Sequence, residues 1–502
     1  MSAVLRRVVC MGFGNIGQAL APLLRRRFGD LPVQVVDERM DASQVAIAAA
    51  HGFAWQRRQL RADNFEAVLQ PWVGEGTLLL NLATSIDSLT LMCWAQARGA
   101  WYLDTCIDPW VYRDGELASD ANTNYRLRAA VIARQTAQRQ AGQPLPTAVV
   151  AHGANPGMVS VFVKEALLRM ARRWLPTQAA PVGRTAWAQL AQALGVRVIQ
   201  VSERDTQAGT VPRADGEFVN TWSVDGFVAE ALQPVEMGWG THEVHGPWQQ
   251  RVRGHGVADR CGVFAPQLGV HTRVKTRTPA AGEVTGWLIS HNEAFSIASW
   301  LTLSPGGQPT YRPTVYYAYH PCDEAAASLA LLADGDRTRV RSARVLKDEI
   351  AGGMDELGVL LLSDRHPALW FGSQLTDARA RTIAPHNNAT SLQVVGGVMG
   401  AIAWLLQHPR AGIVESEDLD HALLMQQAAP FWAPLVEAVF DWHPAGDHAA
   451  RHLPAARRWC LDAFVVDSPP RPARPQRSPV APPSTPTPAP AGQTHRPLTL
   501  EE

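Results

Sequence analysis

The sequence predicts an α/β fold: an N-terminal doubly wound parallel sheet followed by a second, mixed α+β domain. Three observations carry this. A strand, a glycine turn and a helix open the chain over residues 8–27. Apolar runs of strand length then alternate with helical segments as far as residue 151. Beyond about residue 160 the runs change to period-two alternation, interrupted by helical stretches.

The elements follow in order. Residues 8–11 form an apolar strand that runs into Gly12-Phe13-Gly14-Asn15-Ile16-Gly17, then a helical pattern over 18–27 and a second strand ending at Asp37. Gly12 permits the tight turn and Gly14 lets backbone N–H groups approach a pyrophosphate. Gly17 lets the helix pack on the strand, so that its N-terminal dipole faces the phosphates. Asp37 lies twenty residues past Gly17, where a carboxylate receives ribose hydroxyls. Glycines, strand, helix and spaced acid together predict a dinucleotide site of the Rossmann type. A carboxylate about 4 Å from a 2′-phosphate costs roughly 4 kcal/mol per charge pair at an effective dielectric near 20, which favours NAD over NADP. Arg39, two residues on, is the side chain that could answer such a phosphate.

Residues 77–82 read as a buried parallel strand broken only by Asn81, 85–97 as a helix, 101–104 as a strand, 122–140 as a long helix and 147–151 as a strand. Ligands bind such sheets beyond the carboxyl ends of the strands. The cofactor set is therefore Gly12, Gly14, Asn15, Ile16, Gly17 and Asp37 with Ala83, Thr84, Ser85, Asp104 and Thr105, and residues 152–157 share the crevice. Farther on, 184–194 and 389–407 read as helices, and 196–201, 284–290 and 315–320 as antiparallel strands with one wet face.

Composition bounds the rest. A chain of 502 residues implies two or three domains. Its 46 basic and 46 acidic side chains balance, which gives no footprint for nucleic acid. The longest apolar runs, such as 394–406, fall short of a membrane span. The absence of an apolar leader before the first strand predicts a cytoplasmic protein. Cysteines at 10, 93, 106, 261, 322 and 460 lack CxxC spacing and read as reduced wall or core residues, with no metal site. From Ser468 the chain holds 11 of its 36 prolines, a composition that cannot offset its ordering entropy by burial. The expected organisation is a nucleotide domain over 1–155, a substrate and dimerisation domain over 156–466 whose end returns to the first, and a disordered tail over 467–502.

The second domain carries carboxylates and tryptophans at the ends of elements. They are Glu203 after a strand, Trp222 before a short helix bearing Glu230, His291 and Glu293, and Asp355 in Met354-Asp355-Glu356-Leu357-Gly358. Carboxylates supply charge pairing for a cationic ligand, and an indole face adds cation–π attraction worth up to about 2 kcal/mol. Each has a plainer reading as a solvated acid, a core aromatic or, for Asp355, a helix cap. The run 152–159 (His-Gly-Ala-Asn-Pro-Gly-Met-Val), Glu203 to Gln207, Asn220 to Phe227, Gly238-Trp239-Gly240, His291-Asn292-Glu293 and Tyr317 to Cys322 closely resembles the bacterial homospermidine synthases, over about residues 5–445.

That resemblance implies an NAD-dependent transferase that joins two putrescines into homospermidine with release of ammonia, spermidine being a second possible donor. It also implies recycled NAD and a homodimer. By motif, Glu203 grips the inner amine with help from Asn155, Trp222 faces the ammonium or iminium, and Glu230 holds charge along the channel. His291 is the proton-transfer candidate and Asp355 an amine-binding one. Where the family usually has Glu-Pro-Trp, this chain has Asp108-Pro109-Trp110, a carboxylate one methylene shorter that bears on diamine length. Two rival readings stand beside this one. Saccharopine or carboxynorspermidine dehydrogenases need an arginine clamp for a substrate carboxylate, for which Arg204 is the nearest candidate. The other rival is a non-catalytic nucleotide-binding protein.

Overall fold

The computed structural model describes residues 4–110, 123–243, 247–254, 261–446, 452–454 and 457–466. Contacts separate a unit Met1–Asp467 from Ser468–Glu502, and the expectation of a disordered tail falls outside the described residues.

The first sheet has seven strands, in the order Ile413–Val414, Ala148–Val149, Trp101–Asp104, Thr77–Asn81, Arg7–Met11, Val33–Asp37 and Ala54–Arg57. All pairs are parallel. Strand order reverses beside Arg7–Met11, the first strand, which makes its carboxyl end the natural ligand crevice. Val8, Val9, Leu78, Leu79, Leu80 and Leu103 are fully buried, as sheet strands covered on both faces require. The edge strand Ile413–Val414 arrives from far down the chain and pairs with Ala148–Val149. The helix expected over 85–97 starts later, at Ser88, because Ser85 has a φ of 60° and the Asp87 side chain caps the helix by accepting from the Thr90 amide at 2.7 Å. Residues 82–87 are left as a loop at the strand's carboxyl end.

The second sheet has ten strands. At its centre lies Val196–Asp205, parallel to Thr314–His320 and antiparallel to Met354–Ser363. The wet face expected of 196–201 and 315–320 is absent, both strands being buried almost throughout, as is Met354–Ser363. The helix Met158–Trp174 packs on Met354–Ser363 and Ala368–Thr376, while the hairpin Arg273–Thr278 and Gly282–Ile289 crosses Val196–Asp205. Among the described residues of this sheet, Arg273–Thr278 keeps a clean alternation of buried and half-buried residues. The parallel pairing of 196–205 with 314–320 likewise departs from the expected antiparallel arrangement.

The helix Ala389–Gln407 ties the two sheets together. By length and composition it could cross a membrane, yet 89% of its apolar window is buried inside the fold. It packs on the helix Asn15–Phe28 and touches Met354–Ser363. A Cβ at Gly397 would drive into the Gly153 carbonyl, so the glycine is what allows this helix to lie against the loop that carries Asn155.

Candidate active site

A cavity of about 1310 Å³ runs from the carboxyl ends of the first sheet to the face of the second. At one end it is walled by Gly12, Gly14, Asn15, Ile16, Asp37, Ala83, Thr84, Ser85 and Thr105. Gly12 has a φ of +85°, and a Cβ there would lie 2.7 Å from the Ala83 amide nitrogen, whereas Gly14 faces open space. The Asp37 carboxylate is clamped from both sides: Oδ2 accepts from the Phe13 amide at 2.5 Å and Oδ1 from the Arg39 amide at 2.7 Å. This holds it against the glycine turn. The buried Asn15 side-chain nitrogen lacks a partner, so the turn offers unspent donors to an anion. Two sequence candidates do not reach the wall. A Cβ on Gly17 would meet the Gly12 carbonyl at 2.7 Å, so that glycine serves helix packing. Asp104 lies inside, accepting from the Ala151 amide at 2.6 Å and the Tyr102 hydroxyl at 2.8 Å, and burial pushes its carboxyl up to about 7.

The other end of the cavity is walled by Asp108, Asn155, Glu203, Trp222, Glu230, His291, Tyr317 and Thr390. Glu203 lies within the strand Val196–Asp205 of the second sheet, not after it, and is 2% exposed. Its Oε2 accepts from the Tyr317 hydroxyl at 2.6 Å. Burial pushes its carboxyl well up, the neighbouring Asp205 adds to this, and the tyrosine's hydrogen bond works against it. Trp222 donates its indole N–H to the Tyr319 hydroxyl at 3.3 Å and leans on Phe227, ring centres 5.6 Å apart. Ser223 caps the helix Val224–Ala231, which presents Glu230 to the cavity with one carboxylate oxygen lacking a partner. The buried Asn155 amide nitrogen also lacks a partner.

His291 sits between two carboxylates. Its Nδ1 is 3.0 Å from Glu293 and its Nε2 is 3.3 Å from Glu230. Burial disfavours the imidazolium, but Glu293 and Glu230 outweigh it and hold the ring's pKa well above the ordinary value. The two carboxylates thus favour the imidazolium form of the ring.

Asp355 lies on the strand Met354–Ser363, not at a helix start, and is enclosed behind Glu203 rather than on the wall. It pairs in register with Asp205 and accepts from the Thr390 hydroxyl at 2.8 Å. Burial, then the charges of Glu203 and Asp205, push its carboxyl well up. Of these three carboxyls, Asp355 bonds the first turn of Ala389–Gln407, where the helix dipole lowers the cost of charge. Gln207 stitches the group together, donating to Asp205 at 3.1 Å and to Thr390 at 3.0 Å. Asp108 reaches the wall, yet its carboxylate accepts from the Ser85 amide at 3.1 Å and so also braces the loop after Asn81. Arg204 points to the other side of its strand, donating to the Pro321 carbonyl and pairing with Asp323 at 2.9 Å, and it is no part of the wall.

Sequence reasoning missed Tyr317, Asp205 and Thr390 as site residues, and named Glu293 without giving it the role of holding His291. Period-two alternation over 314–320 could have put Tyr317 and Tyr319 on one face, but nothing in the sequence brings Thr390 across the molecule to Asp355.

Comparison with known proteins agrees with this arrangement. The saccharopine dehydrogenase NADP binding domain model matches residues 8–145, and the saccharopine dehydrogenase C-terminal domain model matches 153–439. The homospermidine synthase of Blastochloris viridis is 42% identical over 445 residues, covering 87% of this chain and 92% of that protein. That of Mesorhizobium japonicum is 37% identical over 448 residues, covering 87% and 91%. The structure of the homospermidine synthase from Legionella pneumophila in complex with NAD matches with a TM-score of 0.83 and 36% identity, over 92% of this chain and 98% of that one. At 36–42% identity over most of its length with three proteins of one kind, the chain belongs to the homospermidine synthase family.

Proposed function

We propose that this chain binds NAD in the cavity and condenses two putrescines into homospermidine and ammonia. The single observation that carries the reading is that Glu203 and Trp222 line the same cavity as Gly12, Gly14 and Asp37. When bound, NAD supplies the acceptor for a substrate hydride and later its donor. The site's residues have the rest to do. An alkylammonium must lose a proton before it can lose hydride, at a cost of roughly 4.6 kcal/mol for an amine of pKa near 10.4 at pH 7. Glu203, raised by burial and half satisfied by Tyr317, is placed to take that proton. Trp222 offers its ring to the cationic carbon and nitrogen. Glu230 stands for the far ammonium, and His291, held as a cation, for the proton that departing ammonia needs. Enclosure matters because water would divert the imine to an aldehyde.

The saccharopine-type alternative asks for a free arginine near the acids. Arg204 is engaged elsewhere, and the arginines that do line the cavity, Arg39, Arg58, Arg61 and Arg337, come from segments beside Asp37 and Asp225 rather than from those that carry Glu203 and His291. An uncarboxylated diamine suits this wall better. The reading includes a cytoplasmic protein that forms a homodimer, and light scattering of the purified chain would check the dimer. For the chemistry, 1,1-dideuteroputrescine is supplied with unlabelled NAD. The reading predicts homospermidine that keeps every deuterium, because the hydride returns to the carbon it left. Product with one deuterium lost would refute return of the same hydride, and no homospermidine at all would refute the function.

A further inference from the structure

Tyr317 has a geometry that the reaction scheme leaves unused. It is 3% exposed and lines the cavity, and its hydroxyl donates to Glu203 Oε2 at 2.6 Å. Its ring is pinned on two sides, stacked on Tyr319 with centres 5.3 Å apart and tilted on His291 at 4.8 Å. Tyr319 in turn accepts the Trp222 indole N–H. One phenol therefore fixes one carboxylate oxygen of Glu203 and, through a stacked pair, shares a frame with the indole.

We propose that Tyr317 is a positioning residue that acts through Glu203, anchoring Oε2 so that the other carboxylate oxygen is presented to the substrate amine. The inference rests on the reading of Glu203 as the amine-facing acid. A phenol O–H can donate to a carboxylate but gains far less from donating to a protonated acid, so the bond favours the ionised form. The groups around Glu203 make this bond count. Burial and Asp205 on its own strand oppose its ionisation, while the Asp355 carboxyl on the neighbouring strand and His291 from the loop after Gly282–Ile289 favour it. Tyr319, beside Tyr317, contributes a buried neutral ring. Tyr317 is the hydroxyl that bonds Glu203 directly, and a hydrogen bond to a charged group is strong enough to move a titration by about one pH unit or more.

The test uses the full chain and two readouts. The Glu203 carboxyl C=O stretch is assigned as the infrared band lost in Glu203→Gln, and its pH titration is followed in wild type and Tyr317→Phe. The expected result is a titration moved up by about one unit, with kcat for homospermidine formation about tenfold lower at neutral pH and recovering as pH rises, and NAD affinity unchanged. A Glu203 band that titrates at the wild-type pH in Tyr317→Phe overturns the proposal. Site-specific 3-fluorotyrosine at 317, a more acidic donor that keeps the ring, should move the band down, and an upward or absent shift overturns the proposal even if the Phe variant does not fold. The band reports on Tyr317 whether or not product forms. Wild type that makes no homospermidine but shows the predicted shifts would end the functional reading and leave the positioning role standing.

Discussion

A carboxyl that exchanges protons with an alkylammonium works best when neither of its states is strongly preferred, and Glu203 has opposing forces on it: burial and Asp205 on one side, the Tyr317 hydroxyl on the other. Its exchange for glutamine keeps the shape and removes the proton acceptor. Turnover should then fall by about a hundredfold or more while NAD affinity, measured by fluorescence titration, stays near wild type. Asp37→Ala removes the acceptor set between the Phe13 and Arg39 amides. NAD should bind at least about tenfold more weakly, a loss of about 1.4 kcal/mol or more, with diamine affinity measured on the NAD-saturated protein unchanged. At this scale the glycines and Asp37 were legible because their spacing along the chain is their function. Glu203, Trp222 and Glu230 became legible as a set, through motif resemblance. The state of His291 was not, since it depends on Glu230 arriving from a helix some sixty residues away in sequence.

Among the elements, the glycine turn, the parallel strands and their alternating helices followed from apolar runs that only a sheet covered on both faces explains. The second sheet was harder to read. Its central strands are buried on both faces, and no local pattern tells a parallel partner from an antiparallel one. The helix Ala389–Gln407 was read as a helix, but not as the link between the glycine-turn domain and the buried acids. Two of its residues carry that link: Thr390 donates to Asp355, and Gly397 lies against Gly153. Gly397→Val should therefore destabilise the fold by about 2 kcal/mol or more in urea titration, and should cost more in turnover than the loss of folded protein accounts for, because the loop bearing Asn155 must shift.

Several acids among the described residues are held away from water. Burial pushes Asp104 up to about 7, Glu236 to about 8 and Glu243 to about 7. A raised acid binds its proton in the folded state at a pH where the unfolded chain has released it, so its contribution to stability is lost as pH rises through the folded value. His291, raised by its carboxylates, has the same sign. Burial holds His152 near 3 and His242 near 4, and this opposite effect is spent by about pH 6.5. The apo protein should thus melt at a lower temperature at pH 8 than at pH 6.5 in scanning fluorimetry, and putrescine added with NAD should restore more at pH 8, where Glu203 and Glu230 on the cavity wall take a cationic partner.

The central claim is that one cavity holds a recycled nicotinamide against an acid-lined diamine channel. The direct measurement is a mass balance: labelled putrescine, NAD well below the enzyme's substrate, and simultaneous assay of homospermidine, ammonia and absorbance from NADH. The account predicts one ammonia for each homospermidine, many turnovers for each NAD, and no steady accumulation of NADH. Accumulating NADH with aminobutanal as the product, or turnover that stops after one equivalent of NAD, would contradict it.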